Sequence, residues 1–323
     1  MRITPWKVVA IAGALLLGVP ATAAAAERPV VTTGAASNIE PTTVVLNGTV
    51  TPKGANTTYY FQYGTTSLYG SVTPAGSVAA GSGRVRVSAA VTGLAPVTTY
   101  HYRLVAQNSQ GVARGKHRTF KTKPQPLGFS FAATPNPVGA GGATTLAGVL
   151  TGTNSDDRRI VIKSNPWPYT QGFLPVGNEL VTNDDGSFSV PILSVPVNTQ
   201  FIAQMIARPD VVSAPLAVGA TLRVTRRVKV VRRSERSGRL RFRGRIRPAV
   251  DGEQVLIQKL RLSDGVWVTV AETFARNGGD AVSRYRKTIR QRRGGRYRVL
   301  VNVDEGTYSP SASRSIRRRH IRD

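Results

Sequence analysis

Apolar and polar residues alternate in short runs along most of this chain, and turn residues separate one run from the next. Val44-Val45-Leu46-Asn47-Gly48-Thr49-Val50 alternates and stops at Pro52, Thr58-Tyr59-Tyr60-Phe61-Gln62-Tyr63-Gly64 is an aromatic run, and Tyr100, Tyr102, Leu104 and Ala106 share one face of a third. A two-residue period sends successive side chains to opposite faces of an extended backbone, so these runs predict strands with one buried face. Turn pairs such as Asp185-Gly186 and Gly294-Gly295 punctuate them, and helix-period stretches are hard to find. The predicted fold class is all-β.

The start of the chain reads differently. Arg2 and Lys7 precede an apolar run from Val8 to Val19, followed by Pro20 and the small residues Ala24-Ala25-Ala26. About twelve apolar residues are too few to span a bilayer, which takes about twenty, so residues 1–26 are expected to be a cleaved secretory signal peptide. The expected location is secreted, extracellular or in the cell envelope, with no transmembrane segment after cleavage. Cysteine is absent, which removes disulfides, thiol nucleophiles and thiolate metal sites together.

Past Pro124-Gln125-Pro126 the sequence repeats itself. Gly148-Val149-Leu150 matches Gly244-Arg245-Ile246, Arg159 to Lys163 matches Gln254 to Gln258, and Ser187-Phe188-Ser189-Val190 matches Arg284-Tyr285-Arg286-Lys287. Thr199 to Ala203 matches Gly295 to Val299, and Ser213-Ala214-Pro215 falls near Tyr308-Ser309-Pro310. With the prolines as a hinge, the expected domains are 27–123, 124–222 and 223–323.

The segment Leu94-Ala95-Pro96-Val97-Thr98-Thr99-Tyr100-His101-Tyr102-Arg103 resembles the Leu-x-Pro-x-Thr-x-Tyr-x-Tyr-Arg signature of fibronectin type III domains. The resemblance implies a β-sandwich for residues 27–123, with the Tyr100 hydroxyl bonding back to upstream backbone. Leu46-Asn47-Gly48 stands where many members carry an early core tryptophan, and no Arg-Gly-Asp is present, so animal-matrix functions do not carry over. The two later units are similar to the immunoglobulin-like repeats of bacterial secreted and surface proteins. Three tandem immunoglobulin-like or fibronectin type III-like sandwiches are therefore expected. Such sandwiches host many functions, and the resemblance names an architecture only.

Charge separates the three. The net charge of +27 divides into +2 for residues 1–26, +8 for 27–123, −2 for 124–222 and +19 for 223–323. Arginine outnumbers lysine by 35 to 9, as GC-rich coding also produces, but the slightly acidic middle repeat shares that genome and serves as a control. In Arg239-Leu240-Arg241-Phe242-Arg243-Gly244-Arg245-Ile246-Arg247 every second residue is arginine. As a strand it buries Leu240, Phe242 and Ile246 and spaces the arginines about 6.6–6.8 Å apart on the other face. The middle repeat has Thr145, Ala147, Val149 and Thr151 there.

Arg284, Arg286 and Arg290 are expected outward on a second strand, and Arg223, Arg227 and Lys229 on a first. Immunoglobulin topology would merge these faces in one sheet. The expected polyanion-binding residues are Arg239, Arg241, Arg243, Arg245, Arg247, Arg284 and Arg286, with an anionic cell-wall or extracellular polymer as partner. A solvated, solubilising face is the alternative. The basic run from Arg314 to Arg322 would add counterion-release affinity. Sequence-specific nucleic-acid reading is not expected, because no helix-turn-helix or RNA-binding motif is present.

Catalytic chemistry is sparse. The only histidines are His101, His117 and His320, and no Gly-x-Ser-x-Gly, His-Glu-x-x-His or phosphate-binding glycine loop occurs. Asp156-Asp157 and Asp184-Asp185 lie in turn contexts that account for them without a metal. No catalytic residue, metal site or cofactor is expected, and the chain reads as a nonenzymatic binding or adhesion module. The alternative is a spacer or protein-interaction module that presents Trp167 and Tyr169 from the proline-held loop Asn165 to Phe173, with another surface protein as its partner; an unrecognised extracellular hydrolase ranks below both. Trp267, in Val266-Trp267-Val268-Thr269-Val270, is expected in the core.

Overall fold

A computed structural model describes residues 25–234, 237–291, 294–303 and 306–318. Residues 1–24, which hold most of the expected leader, lie outside the described residues, as do Arg319, His320 and Arg322 of the basic C-terminal run. The described chain is all-β, built of strands and turns with no helix. Its strands form three sandwiches of the immunoglobulin or fibronectin type III kind; in the first two a three-stranded sheet faces a larger one, and in the last both sheets have five strands. The contacts divide the chain into two compact units, one ending at Gln125 and one starting at Pro126.

In the first unit Val30–Thr33, Thr43–Thr51 and Val85–Thr92 make a three-stranded antiparallel sheet. The opposing sheet centres on Thr57–Gly64 and Thr99–Asn108, paired antiparallel. Leu46, Phe61, Tyr102 and Leu104 are fully buried between the layers, so the position without a tryptophan is filled by leucine. The corner closes as expected: Ala95 N–H donates to the Tyr100 hydroxyl at 3.0 Å, and that ring stacks on Phe120. The final strand is Arg118–Lys121, and just before it Gly115 N–H donates to Leu104 O at 2.8 Å.

The second unit holds the two repeats. Gly128–Thr134, Gly142–Thr151 and Ser187–Val195 form the small sheet of the middle sandwich, and Arg159–Pro166 pairs Thr199–Met205 in its larger one. In the last sandwich Ser237–Arg247 lies between Arg227–Ser234 and Ser283–Gln291, opposite a sheet centred on Gln254–Leu260 and Gly295–Val301. One glycine recurs in a central strand of one sheet in each sandwich. A methyl on Gly148 would lie 2.6 Å from the Phe188 ring, and one on Gly244 would lie 2.5 Å from the Tyr285 hydroxyl oxygen and overlap Thr225 O. In the first unit, a methyl on Gly48 would lie 2.7 Å from Leu104 Cδ2. The glycine therefore makes room for a large neighbour to seal the sandwich.

Two expectations need correction. The partner of Ser213 in the repeat is Ser313, four residues beyond Ser309: Ala203 N–H donates to Ser213 Oγ and Val299 N–H to Ser313 Oγ, and each hydroxyl donates to the next carbonyl. Trp267 is not core. Its strand, Trp267–Phe274, pairs only with Gln254–Leu260 at the sheet edge, and Arg298 lies 4.6 Å above the indole. Edge strands bury less than their hydrophobicity suggests, and Val266, Val268, Val270 and Phe274 are all exposed here.

The two repeats are clamped together. Asn198 Nδ2 donates to Gly306 O at 2.7 Å and Asn198 N to Thr307 O at 2.8 Å, while Asn198 Oδ1 accepts from Ala220 N and Ser309 Oγ. Thr221 bridges Ser309 in parallel, and Tyr308 packs against both repeat cores. One side chain thus satisfies backbone groups from both repeats.

Three stability outcomes are expected from this packing. Gly244→Ala overpacks the last sandwich and should cost about 1–3 kcal/mol in chemical denaturation. Tyr100→Phe strands the Ala95 N–H and should cost about 0.5–1.5 kcal/mol in the same measurement. Asn198→Ala should split the unfolding of residues 126–323 into two resolvable calorimetric transitions, where the parent shows one.

Candidate functional site: an arginine face on the last sandwich

Pleating decides where the arginines go. Leu240, Phe242 and Ile246 are fully buried, which at about 1.5–3 kcal/mol for each side chain commits the intervening residues to the outer face. Arg239, Arg243, Arg245 and Arg247 are exposed there and Arg241 is half-buried. On the neighbouring strand Tyr285 and Ile289 are buried and Arg284, Arg286 and Arg290 exposed. On the other side Arg223, Arg227 and Lys229 are exposed. All these strands belong to one sheet.

Register turns three stripes into rows. Arg227 lies opposite Arg243, which lies opposite Arg286. Arg245 lies opposite Arg284, which lies opposite Arg276. Arg239 faces Arg290, Arg247 faces Arg223, and Lys229 faces Arg241. Neighbouring strands are about 4.8 Å apart and alternate residues about 6.8 Å, both within the Debye length of about 8 Å at physiological salt. The charges therefore act together. Two unit charges ~6 Å apart repel by about 0.7 kcal/mol in bulk water and about four times that at an effective dielectric of 20.

The four ion pairs among the described residues all lie elsewhere, at Lys53–Glu27, Lys123–Glu40, Arg159–Glu179 and Arg261–Asp264. The repulsion on this face is thus not relieved by ion pairs among the described residues. Arg241 Nε is shut off from water with no acceptor among the described residues.

A groove of about 880 Å³ crosses the face. Gly244 and Tyr285 are among its lining residues, and the Tyr285 hydroxyl donates to Thr225 O at 2.8 Å. Burial pushes the Tyr285 hydroxyl far above the ordinary phenol range, so this lining group stays neutral. Burial also pulls Arg226 down from the usual arginine range, with Arg318 adding repulsion, and its Nε donates to Arg314 O. Arg226 is thereby tied into the wall, while Arg243, Arg245, Arg284 and Arg286 face the groove.

Sequence reasoning missed Arg276 and Phe274, which also line the groove. Arg276 sits on a two-residue strand, Arg276–Asn277, in a stretch that reads as a turn. Phe274 is 58% exposed and gives the arginine wall an apolar neighbour. Of the C-terminal run, Ile316–Arg318 is a strand pairing with Gly295–Val301 in the other sheet, and Arg318 donates to Val228 O.

The aromatic loop is placed differently from the arginines. Trp167 and Tyr169 are both half-buried, and their rings meet edge to face at 5.3 Å. The indole also covers Gly306 of the last sandwich, where an added methyl would lie 3.1 Å from it. Part of the ring surface expected to be on offer is therefore occupied within the unit. The acidic turns make turn contacts: Asp185 Oδ1 accepts from Ser187 N at 2.9 Å, and hydrogen bonds from Ser187 hold its carboxyl below the usual range. No cluster of three or more His, Cys, Asp or Glu side chains is found among the described residues.

No protein-family profile matches this chain, and no curated protein sequence matches it. Among solved structures, the FN1–FN3 domains of chicken CNTN1 are 15% identical, with a TM-score of 0.29 over 91% of this chain and 99% of that one. A tetra-tandem repeat from the extending region of a large adhesion protein is 15% identical, with a TM-score of 0.30 over 89% of this chain and 72% of that one. The sensor domain of the anti-sigma factor RsgI4 from Pseudobacteroides cellulosolvens is 27% identical, with a TM-score of 0.23 over 29% of this chain and 89% of that one. At these scores the fold rests on the chain's own sheets and the site on its own arginines.

Proposed function

We propose that this chain is an exported, nonenzymatic binding module of the cell envelope or extracellular space, whose last sandwich holds an anionic polymer across its arginine face. The observation that carries the reading is the row Arg227, Arg243 and Arg286, three cations directly opposed on adjacent strands. Like charges placed directly opposite each other on adjacent strands are destabilising. A phosphate-, sulfate- or carboxylate-rich polymer reverses that cost, because each bound anion lies near several guanidiniums. Arginine suits this role through its planar, bidentate fork. A solvated face needs no such register, and the middle sandwich, with threonine, alanine and valine at the matching positions, does without charge there.

The binding is expected to depend on charge more than on sequence or sugar identity. Titration of the whole chain onto heparin, duplex DNA and a teichoic acid should give affinities that fall linearly in log–log plots against salt. Replacing Arg243, Arg245, Arg284 and Arg286 with glutamine should flatten the slope for a phosphate polymer by about 0.7–0.9 for every phosphate no longer neutralised. Unchanged affinity and slope in that variant, or in one carrying glutamine at Arg239, Arg241, Arg243, Arg245 and Arg247, would rule the reading out.

A further inference from the structure

Outside the arginine face, the first unit gathers two of the chain's three histidines at one place. His101 lies on Thr99–Asn108 and His117 just before Arg118–Lys121, on adjacent antiparallel strands. His101 Nδ1 and His117 Nε2 are 3.0 Å apart. The other nitrogen of His117, Nδ1, is 3.1 Å from the Tyr69 hydroxyl.

We propose that His101 Nδ1 and His117 Nε2 form a surface chelate for a divalent transition-metal ion, copper(II) above others, with Tyr69 positioning His117. An imidazole nitrogen binds such an ion at about 2.0–2.1 Å. Two nitrogens 3.0 Å apart then subtend about 95° at a shared ion. That is the cis angle of a tetragonal site, the geometry copper(II) and nickel(II) favour with nitrogen and oxygen ligands, and copper(II) stands highest in affinity among first-row divalent ions. Each ring must turn by roughly 40° from a direct nitrogen-to-nitrogen alignment to converge on the ion, a rotation that the broad terminal torsion of histidine allows. Water completes the coordination, since His117 is exposed and His101 half-exposed.

The chemistry of Tyr69 fits a positioning role. A metal-binding imidazole needs its second nitrogen protonated and held, and a hydroxyl accepting from His117 Nδ1–H leaves the Nε2 lone pair free for the ion. Tyr69 is held firmly in place. Its φ is +69°, in the left-handed region a bulky residue rarely enters, and its carbonyl occupies the space where a side chain at Gly64 would stand. Arg103 stacks 4.7 Å from the Tyr69 ring centre and donates to Gln62 Oε1 at 2.7 Å. Strained backbone of this kind persists only where the surroundings over-determine it.

Copper(II) titration of the whole chain, followed by electron paramagnetic resonance and calorimetry, tests the site. One ion should bind with nitrogen hyperfine coupling. His101→Ala and His117→Ala should each abolish that signal, and Tyr69→Phe, which keeps both ligands, should weaken binding by about 10-fold or more. His320→Ala should leave it unchanged, and unaltered thermal unfolding of the variants without metal would separate a missing ligand from a damaged fold. Equal copper binding by His101→Ala and the parent, or loss on His320→Ala alone, overturns the proposal.

Discussion

The two-residue pleat of the Ser237–Arg247 strand is the constraint on which the charged part of this protein depends. Leu240, Phe242 and Ile246 reach the core only if the residues between them point away from it, and those residues are arginines. A slip of one position would bury the guanidiniums and expose three large apolar side chains. Core formation and charge display are one event. The energetic balance favours it, because each buried side chain contributes more than an opposed pair of solvated arginines costs.

Gly244 sits where these demands meet. Its missing side chain leaves room for the Tyr285 hydroxyl on the inner side of the strand, while Arg243 and Arg245 on either side of it turn outward. Gly148 serves the same purpose in the middle sandwich, against Phe188, where no arginine flanks it. The repeats thus share a packing solution and differ in what they turn outward. The Asn198 clamp joins them through backbone groups, so the link does not depend on the surface residues that set them apart.

The fold and the arginine stripes were legible because both rest on alternation, a local property. The Tyr100 corner was legible because its hydrogen bond spans only five residues. Trp267 was misread because hydrophobicity cannot distinguish a central strand from an edge strand, which has a neighbour on one side only. That Trp167 covers Gly306 was not legible, because Gly306 lies in the next repeat. Arg276 escaped notice because a two-residue strand carries no periodicity, and Phe274 because it ends an edge strand whose pairing the sequence does not show.

By itself the sequence determined the all-β class, the internal repeat and the concentration of charge in the last hundred residues, since composition and period suffice for these. Tertiary structure alone decided which arginines stand opposite one another, that Asn198 ties the repeats, and that His101, His117 and Tyr69 meet. Those depend on register between strands and on loops closing over a sheet, where residues 16 to 111 positions apart become neighbours. Alternation says which face a side chain takes; only the pairing of strands says what stands beside it.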